Sequence, residues 1–122
     1  MPSQEIEEFA KLLVKYVRDE AIKSCDVQLG TDNMNSPIAK RWQSAISKGA
    51  TEELAKAVIA DCVDDTIFFF LLAIDQGILD ISFKTSNKKE IDLSREGLGE
   101  LAGWYTGEWR SAYSGERHYD NF

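Results

Sequence analysis

Eight consecutive apolar residues, Ile67 to Ile74, follow three aspartates in the stretch DCVDDTIFFFLLAID. A helix start precedes them at Thr51, whose hydroxyl can accept a backbone N–H. The apolar spacing predicts a helix from Thr51 to about Gln76, with Gly77 as its C-cap residue. Because its second half is apolar all round, we expect this helix to lie at the centre of the fold and to pack on more than one side.

Helical spacing predicts three further helices. The first runs to about Cys25, the second begins at Ser36 and Pro37 and stops at Gly49, and the last is capped by Ser94. Two short alternating segments, ILDISFK and KEIDLS, predict a β-hairpin between the third and fourth helices. The predicted fold is α+β and mainly α, with about four helices and one small β-hairpin, in a single domain covering residues 1–122.

The same periods predict which side chains face the core. The hairpin is expected to turn four apolar residues inward, and the first and last helices six each: Ile81, Phe83, Ile91 and Leu93 of the hairpin; Ile6, Phe9, Leu12, Leu13, Tyr16 and Val17 of the first helix; and Leu98, Leu101, Ala102, Tyr105, Trp109 and Tyr113 of the last. Three glycines four residues apart, Gly99, Gly103 and Gly107, predict a stripe in close backbone contact with a neighbouring element, because each disfavours a helix interior.

Charge is unevenly distributed. Residues 61–122 carry a net charge of −6 of the total of −7. This acidic half argues against nucleic acid or anionic lipid as a partner and is compatible with a basic protein partner. The longest apolar run is too short for a membrane span, and the acidic start MPSQEIEEFAK is unlike a signal peptide. The sequence therefore predicts a cytoplasmic protein, with Cys25 and Cys62 as reduced thiols.

Aspartates of the third helix share one face with apolar residues. At 100° per residue, Asp61, Asp64, Asp65 and Asp75 fall with Phe68 and Leu72 within an arc of about 100°. Since the two apolar residues need cover, we expect the acids to lie half-buried at the edge of a packed interface. Partly buried carboxylates require donors. The candidate donors within the chain are Arg41, Arg110, Trp104, Trp109 and the tyrosine hydroxyls.

Two other interpretations of the aspartates remain open. Asp61 with Asp64 or Asp65 has the helical spacing to bridge a hard divalent cation, which would make the chain a small ligand-binding or metal-binding domain or an enzyme. Zinc is disfavoured because the chain has one histidine. No acylation motif accompanies a serine or cysteine, and no cofactor is predicted. Alternatively, the acids form a docking surface for a basic protein.

A family resemblance adds to the third interpretation. With DDTIFFFLLAIDQGILDI joined to GLGELAGWYTGEWRSAYSGERHYDNF, the chain resembles small acidic bacterial proteins, and in style the immunity proteins of contact-dependent and other polymorphic toxin systems. Those are compact cytoplasmic domains that bind and block one cognate toxin, often a basic nuclease. The resemblance covers size, charge and architecture and carries over no functional residue, so it is an argument by analogy.

The leading hypothesis is a non-enzymatic protein that binds a basic partner, most specifically an immunity protein that neutralises a basic toxin. A regulatory adaptor or a dimeric structural protein is a further alternative, and a homodimer is possible. The residues predicted to contact the partner are acids of the C-terminal half together with one aromatic residue: Asp61, Asp64, Asp65, Asp75, Glu100, Trp104 and Glu108.

Overall fold

The computed structural model describes residues 3–30 and 37–119. Within these two ranges, eleven secondary-structure elements follow one another, and two of them are single π-helical turns. In chain order they are α1 (Gln4–Leu13), π1 (Val14–Arg18), α2 (Asp19–Leu29), α3 (Pro37–Ser47), α4 (Glu52–Asp75), β1 (Ser82–Lys84), β2 (Glu90–Asp92), α5 (Leu93–Glu96), α6 (Leu101–Trp104), π2 (Tyr105–Trp109) and α7 (Arg110–Tyr113).

Both π turns lie inside continuous helices. The residues at every junction, such as Val14 and Asp19 around π1, keep right-handed helical backbone angles. We therefore call α1–π1–α2 the first rod and α6–π2–α7 the last rod. The predicted α+β, mainly helical fold with a small antiparallel sheet is confirmed. The short helix α5, between the hairpin and the last rod, was not predicted.

The central helix α4 begins where its sequence predicts. Thr51 is its N-cap, and the Thr51 hydroxyl accepts the backbone N–H of Leu54 at 3.1 Å. The helix ends with Gln76 as its C-cap, and Gly77 follows with a φ of 75°, an angle that glycine adopts without strain. The predicted cap of the second helix, Ser36, lies outside the described residues.

The two-stranded sheet covers one end of the core. Phe83 pairs with Ile91 in the antiparallel register, and Ile91 is buried. The Phe83 ring meets the Phe9 ring of the first rod edge to face, with centroids 5.5 Å apart. Leu93 is buried and Ile81 packs against the same core, so the predicted inward face of the hairpin is confirmed.

Both rods run antiparallel to α4 and pack against it, and they also contact each other, since the Phe9 and Trp109 ring centroids are 6.3 Å apart. At one end Ile6 shares a hydrophobic cluster with Ile74, and at the other Ile22 shares one with Ile59. The last rod starts beside Asp75, whose carboxylate accepts the backbone N–H groups of the rod's first two residues at 3.0 Å each. The central position predicted for α4 follows from this arrangement.

The start of the last helix was predicted wrongly. Asp92 caps α5 by accepting the backbone N–H of Ser94, and the last rod begins only at Leu101. The chain between them turns through Leu98 and Gly99, both at positive φ. Leu98 was expected in the core and is 67% exposed, because it lies in this turn and not on a helix face.

Three predicted core residues of the first helix are exposed: Leu12, Tyr16 and Val17. For Val17 the cause is π1 (Val14–Arg18), since a π turn takes an extra residue before the chain returns to the same face. The positions that face inward are therefore four apart through this region. They are Ile6, Ala10, Val14, Arg18 and Ile22, and each is 0% exposed.

The glycine stripe was also interpreted wrongly. Gly103 and Gly107 are exposed, and a Cβ built on either would meet nothing within 4 Å. Gly97, outside that stripe, is the glycine with a close neighbour, since a Cβ there would lie 2.6 Å from the Leu93 carbonyl oxygen.

Replacing the exposed helical glycines should therefore stabilise the protein. We expect Gly103→Ala and Gly107→Ala each to raise the free energy of unfolding by roughly 0.5–1 kcal/mol, because alanine favours helix and space is free. Gly97→Ala should lower it, because the new methyl group meets backbone. Urea unfolding followed by circular dichroism measures all three, and a loss of stability in Gly103→Ala would show that a neighbour packs on that stripe.

Candidate functional site

An ionic network at the centre of the fold is organised by Asp64 of α4, whose side chain is 1% exposed. Its Oδ1 accepts Arg18 Nε at 2.6 Å and the Tyr105 hydroxyl at 2.6 Å. Its Oδ2 accepts Arg18 Nη2 at 3.3 Å and Arg110 Nη1 at 2.9 Å. These four bonds use all the acceptor positions of a carboxylate.

Arg18 is satisfied just as completely. Besides the two bonds to Asp64, its Nη2 donates to the Arg117 carbonyl oxygen at 2.5 Å. Its Nη1 donates to Asp19 Oδ1 at 3.0 Å and to Ser114 Oγ at 2.8 Å. All five guanidinium N–H donors therefore have acceptors, although the side chain is fully buried.

The two π turns place the donors around Asp64. Arg18 is the last residue of π1, Tyr105 is the first of π2, and Arg110 directly follows π2. π turns are rare and often occur at functional sites. Because both π turns of the described chain place donors on one carboxylate, this network is the first candidate for a functional site.

The segment after the last rod closes the network. The backbone N–H of Gly115 donates to Asp19 Oδ2 at 2.9 Å, and the Ser114 hydroxyl donates to Asp19 Oδ1 at 2.8 Å. Arg117 forms a bidentate pair with Asp26 of α2, both bonds at 2.9 Å, and also donates to the Lys56 carbonyl oxygen. The chain beyond Tyr113 is thus bound to both the first rod and α4.

The positive and negative charges of the network are equal in number. Arg18 and Arg110 face Asp64 and Asp19, so two positive and two negative groups share the buried volume. Burial by itself would raise the pKa of the Asp64 carboxyl, but hydrogen bonds from Arg18, Tyr105 and Arg110 outweigh it and hold that pKa below its ordinary value. Burial and the bond to Asp64 raise the pKa of the Tyr105 phenol.

In this geometry Asp64 has no free lone pair with which to bind a ligand. Its lone pairs are occupied by N–H and O–H donors, so it cannot ligate a cation in this arrangement. Within residues 3–30 and 37–119, no group of three or more His, Cys, Asp or Glu side chains is placed to hold a metal ion. The network therefore acts as a link between three helices.

The prediction that Asp64 contacts a partner is corrected by this burial, because a side chain enclosed by its own chain offers no surface. The predicted internal donors Arg110 and a tyrosine hydroxyl are confirmed, whereas Arg41 is exposed on α3 and not bonded to Asp64. The expectation that all the aspartates are half-buried is wrong for Asp61 and Asp65, which are exposed.

The remaining predicted contact residues lie on the last rod and at the end of α4. Glu100 and Glu108 are exposed at the start of α6 and within π2. Trp104 is half-buried and packs on the main core, its ring centroid 6.2 Å from that of Trp109. Asp75 is half-buried, and both of its oxygens cap the last rod. Asp61, Asp65, Glu100 and Glu108 therefore remain as freely accessible acids from the predicted set.

Arg18 and Asp19 were missed in the sequence. A signal for Arg18 exists, because it stands four residues after Val14 and four before Ile22, in the place of an apolar residue of the buried stripe. An arginine in such a position requires a buried acid, and Asp64 is the acid flanked by core positions on α4. No comparable signal marks Asp19, whose partners are in the segment after the last rod.

Comparisons with other proteins give no relative: no protein-family model matches the chain, and neither a curated protein nor a solved structure is significantly similar to it. Among the described residues, none of the helices combines the length and apolar character needed to cross a membrane.

Removing the Asp64 carboxylate should destabilise the protein strongly. Asp64→Ala leaves two buried arginines without their shared acceptor, and we expect a loss of roughly 3–5 kcal/mol in the free energy of unfolding. The matched control Asp65→Ala, one residue along and exposed, should change it by less than about 0.5 kcal/mol. Urea denaturation measures both, and equal losses would contradict the structural role assigned to Asp64.

Stability should also depend on pH at both extremes. Asp64 has a lowered pKa when folded, so its contribution is present above about pH 4 and is lost as the pH falls through the folded value. Tyr105 has a raised pKa when folded, so its contribution is present below about pH 10 and is lost as the pH rises further. Unfolding titrations should show that Tyr105→Phe flattens the alkaline limb, and an unchanged limb would contradict this assignment.

Proposed function

We propose that this chain is a non-enzymatic binding protein that docks a basic protein partner on its exposed acidic side chains. The contact residues of this proposal are Asp61 and Asp65 of α4 together with Glu100 and Glu108 of the last rod. Trp104, half-buried beside Trp109 on the last rod, is the aromatic residue of the proposed contact set.

The observation that carries the proposal is a local absence of compensating cations. Segments 57–83 and 96–109 contain eight acids and no lysine or arginine. Asp64 is neutralised inside the fold, but no ion pair joins Asp61 or Asp65 to any residue of the described ranges. An uncompensated acidic surface attracts a basic partner and speeds their encounter.

Its most specific form is a cytoplasmic immunity protein that blocks a basic toxin. Support comes from the size of the chain, its acidic C-terminal half and a rigid centre that can present a fixed surface. In the divalent-cation alternative, Asp64 is not available as a ligand, because its oxygens are occupied by donors of the chain itself. It would have to use Asp61 and Asp65 alone, which is a sparse donor set for an ion that prefers six oxygens.

Charge reversal of the exposed pair tests the proposal. The binding partners to assay are the purified basic polypeptides encoded by the genes next to the gene for this chain. We expect Asp61→Lys combined with Asp65→Lys to weaken binding at least about tenfold, and the wild-type affinity to fall as salt is raised. If one of those polypeptides is toxic, co-expression with the wild-type chain should restore growth and co-expression with the variant should not.

A matched control carries the same change in charge elsewhere. Asp80→Lys with Glu90→Lys reverses two exposed acids at the turn after α4 and on the hairpin, and should leave affinity and protection within about twofold of wild type. Equal effects of the two double variants would show that only net charge matters. Unchanged binding in the Asp61 and Asp65 variant would contradict the proposed surface.

A further inference from the structure

An apolar groove lies between the first rod and α4, and its lining includes no residue of the last rod. It has a volume of about 260 Å³ and an almost wholly apolar lining, with two residues from the first rod and four from α4. These are Val17, Ala21, Cys62, Val63, Thr66 and Ile67. The groove exists because π1 turns Arg18 inward and leaves Val17 at the surface.

Exposed apolar side chains lie on both walls of the groove. On the first rod, Val17, which lines it, is 51% exposed. On α4, Phe69 is 58% exposed, and Phe70 is exposed one turn beyond Thr66 on the same face. Contiguous exposed apolar surface of this kind marks an interaction site more often than isolated exposed residues do.

The outer face of α4 combines this apolar surface with charge. Asp61 directly precedes Cys62 and Asp65 directly precedes Thr66, and both aspartates are exposed, so each lies one helical step of 100° from a residue that lines the groove. From Cys62 to Phe70 the face extends about 12 Å, or a little over two helical turns. An occupant that matches it needs an apolar stripe of similar length with cations beside it.

We propose that this groove receives an amphipathic helix of a basic partner, with the apolar stripe of that helix in the groove and its lysines or arginines against Asp61 and Asp65. The inference rests on the proposed function and adds the form in which the partner binds. A helix laid between two antiparallel helices packs by the same rules as the helices of this protein, and its apolar residues at i, i+3 or i+4, and i+7 supply the anchors.

Charge complementarity selects this occupant over a second copy of the chain. A two-fold dimer through the outer face of α4 would bring Asp61 and Asp65 of one copy toward the same residues of the other. Segment 57–83 has no lysine or arginine to offset that repulsion. An anionic lipid surface is disfavoured for the same reason, whereas a basic amphipathic helix satisfies both the apolar and the acidic parts of the face.

Three synthetic peptides of about 18 residues test the proposal on the full chain. The first is built from leucine and lysine with the leucines at helical spacing. The second has the same composition in scrambled order, so that its leucines share no face, and the third replaces every lysine of the first by glutamate. Each carries a fluorescein label, and titration with the protein is followed by fluorescence anisotropy.

The amphipathic lysine peptide should bind at least about tenfold more tightly than either of the others. Val17→Arg and Thr66→Arg, which place a charge in the groove, should each weaken its binding at least about tenfold. Val27→Arg introduces the same charge at an exposed position of α2 that does not line the groove, and should leave affinity within about twofold of wild type. Circular dichroism and thermal unfolding establish that each variant is folded.

A measurement on the unmodified chain does not depend on the folding of variants. Cys62 lines the groove and is exposed, while Cys25 is half-buried on α2. Saturating amphipathic lysine peptide should slow alkylation of Cys62 by N-ethylmaleimide, relative to Cys25, at least about fivefold. Unchanged alkylation at saturation would overturn the placement in the groove.

The outcomes separate this inference from the proposed function. If the scrambled lysine peptide binds as tightly as the amphipathic one and the groove variants have no effect, the groove is not the site, although an acidic docking surface is retained. If the glutamate peptide binds equally well, the basic partner of the proposed function is contradicted. If sedimentation shows a dimer of the free chain that Thr66→Arg dissociates, a second copy covers the groove and the inference is overturned.

Discussion

The carboxylate of Asp64 holds three separate parts of the chain together, and the arrangement of the helices depends on it. It bonds Arg18 of the first rod and both Tyr105 and Arg110 of the last rod, from the middle of α4, which packs against both of them. A buried ion pair adds little stability relative to an apolar core of the same shape, but breaking one is expensive. The network therefore contributes mainly to the specificity of the fold, because another packing of the rods leaves charges buried and unpaired.

Most of the fold could be predicted because its elements have strong local signals. Thr51 and the long apolar period define α4, and the alternation around Ile91 defines the hairpin. What the sequence did not indicate was the pair of π turns, whose extra residue shifts the period without a compositional mark. Val17 was therefore predicted to be buried and Arg18 was overlooked. The exposed glycines Gly103 and Gly107 were misinterpreted for a related reason. Their spacing predicts that they share one stripe of a helix, but it does not predict whether that stripe faces a neighbouring element or solvent.

Within about one turn of α4, aspartates have two different roles, one in the interior and one at the surface. Asp64 points between the rods and is saturated by donors, while Asp61 and Asp65 point to solvent beside an apolar groove. Helical geometry predicted that all three acids share one face. The rods cover only the part of that face that carries Asp64, so Asp61 and Asp65 stay exposed. The buried acid fixes the spacing of the helices that form the groove, and the exposed acids give that groove its charge. The interior and the surface of the protein are thus linked through a single turn of α4.

The ionic network around the π turns also affects how the chain folds. The bonds that close the network join residues 41, 46 and 96 positions apart, so they form only after segments from the beginning, middle and end of the described chain have met. Helical proteins with local contacts fold fast, and contacts of long sequence separation slow the search. Arg18 has to leave water as its acceptors arrive from α4 and the last rod. The rods can therefore form early as helices, whereas locking them into one register waits for the ionic centre to assemble.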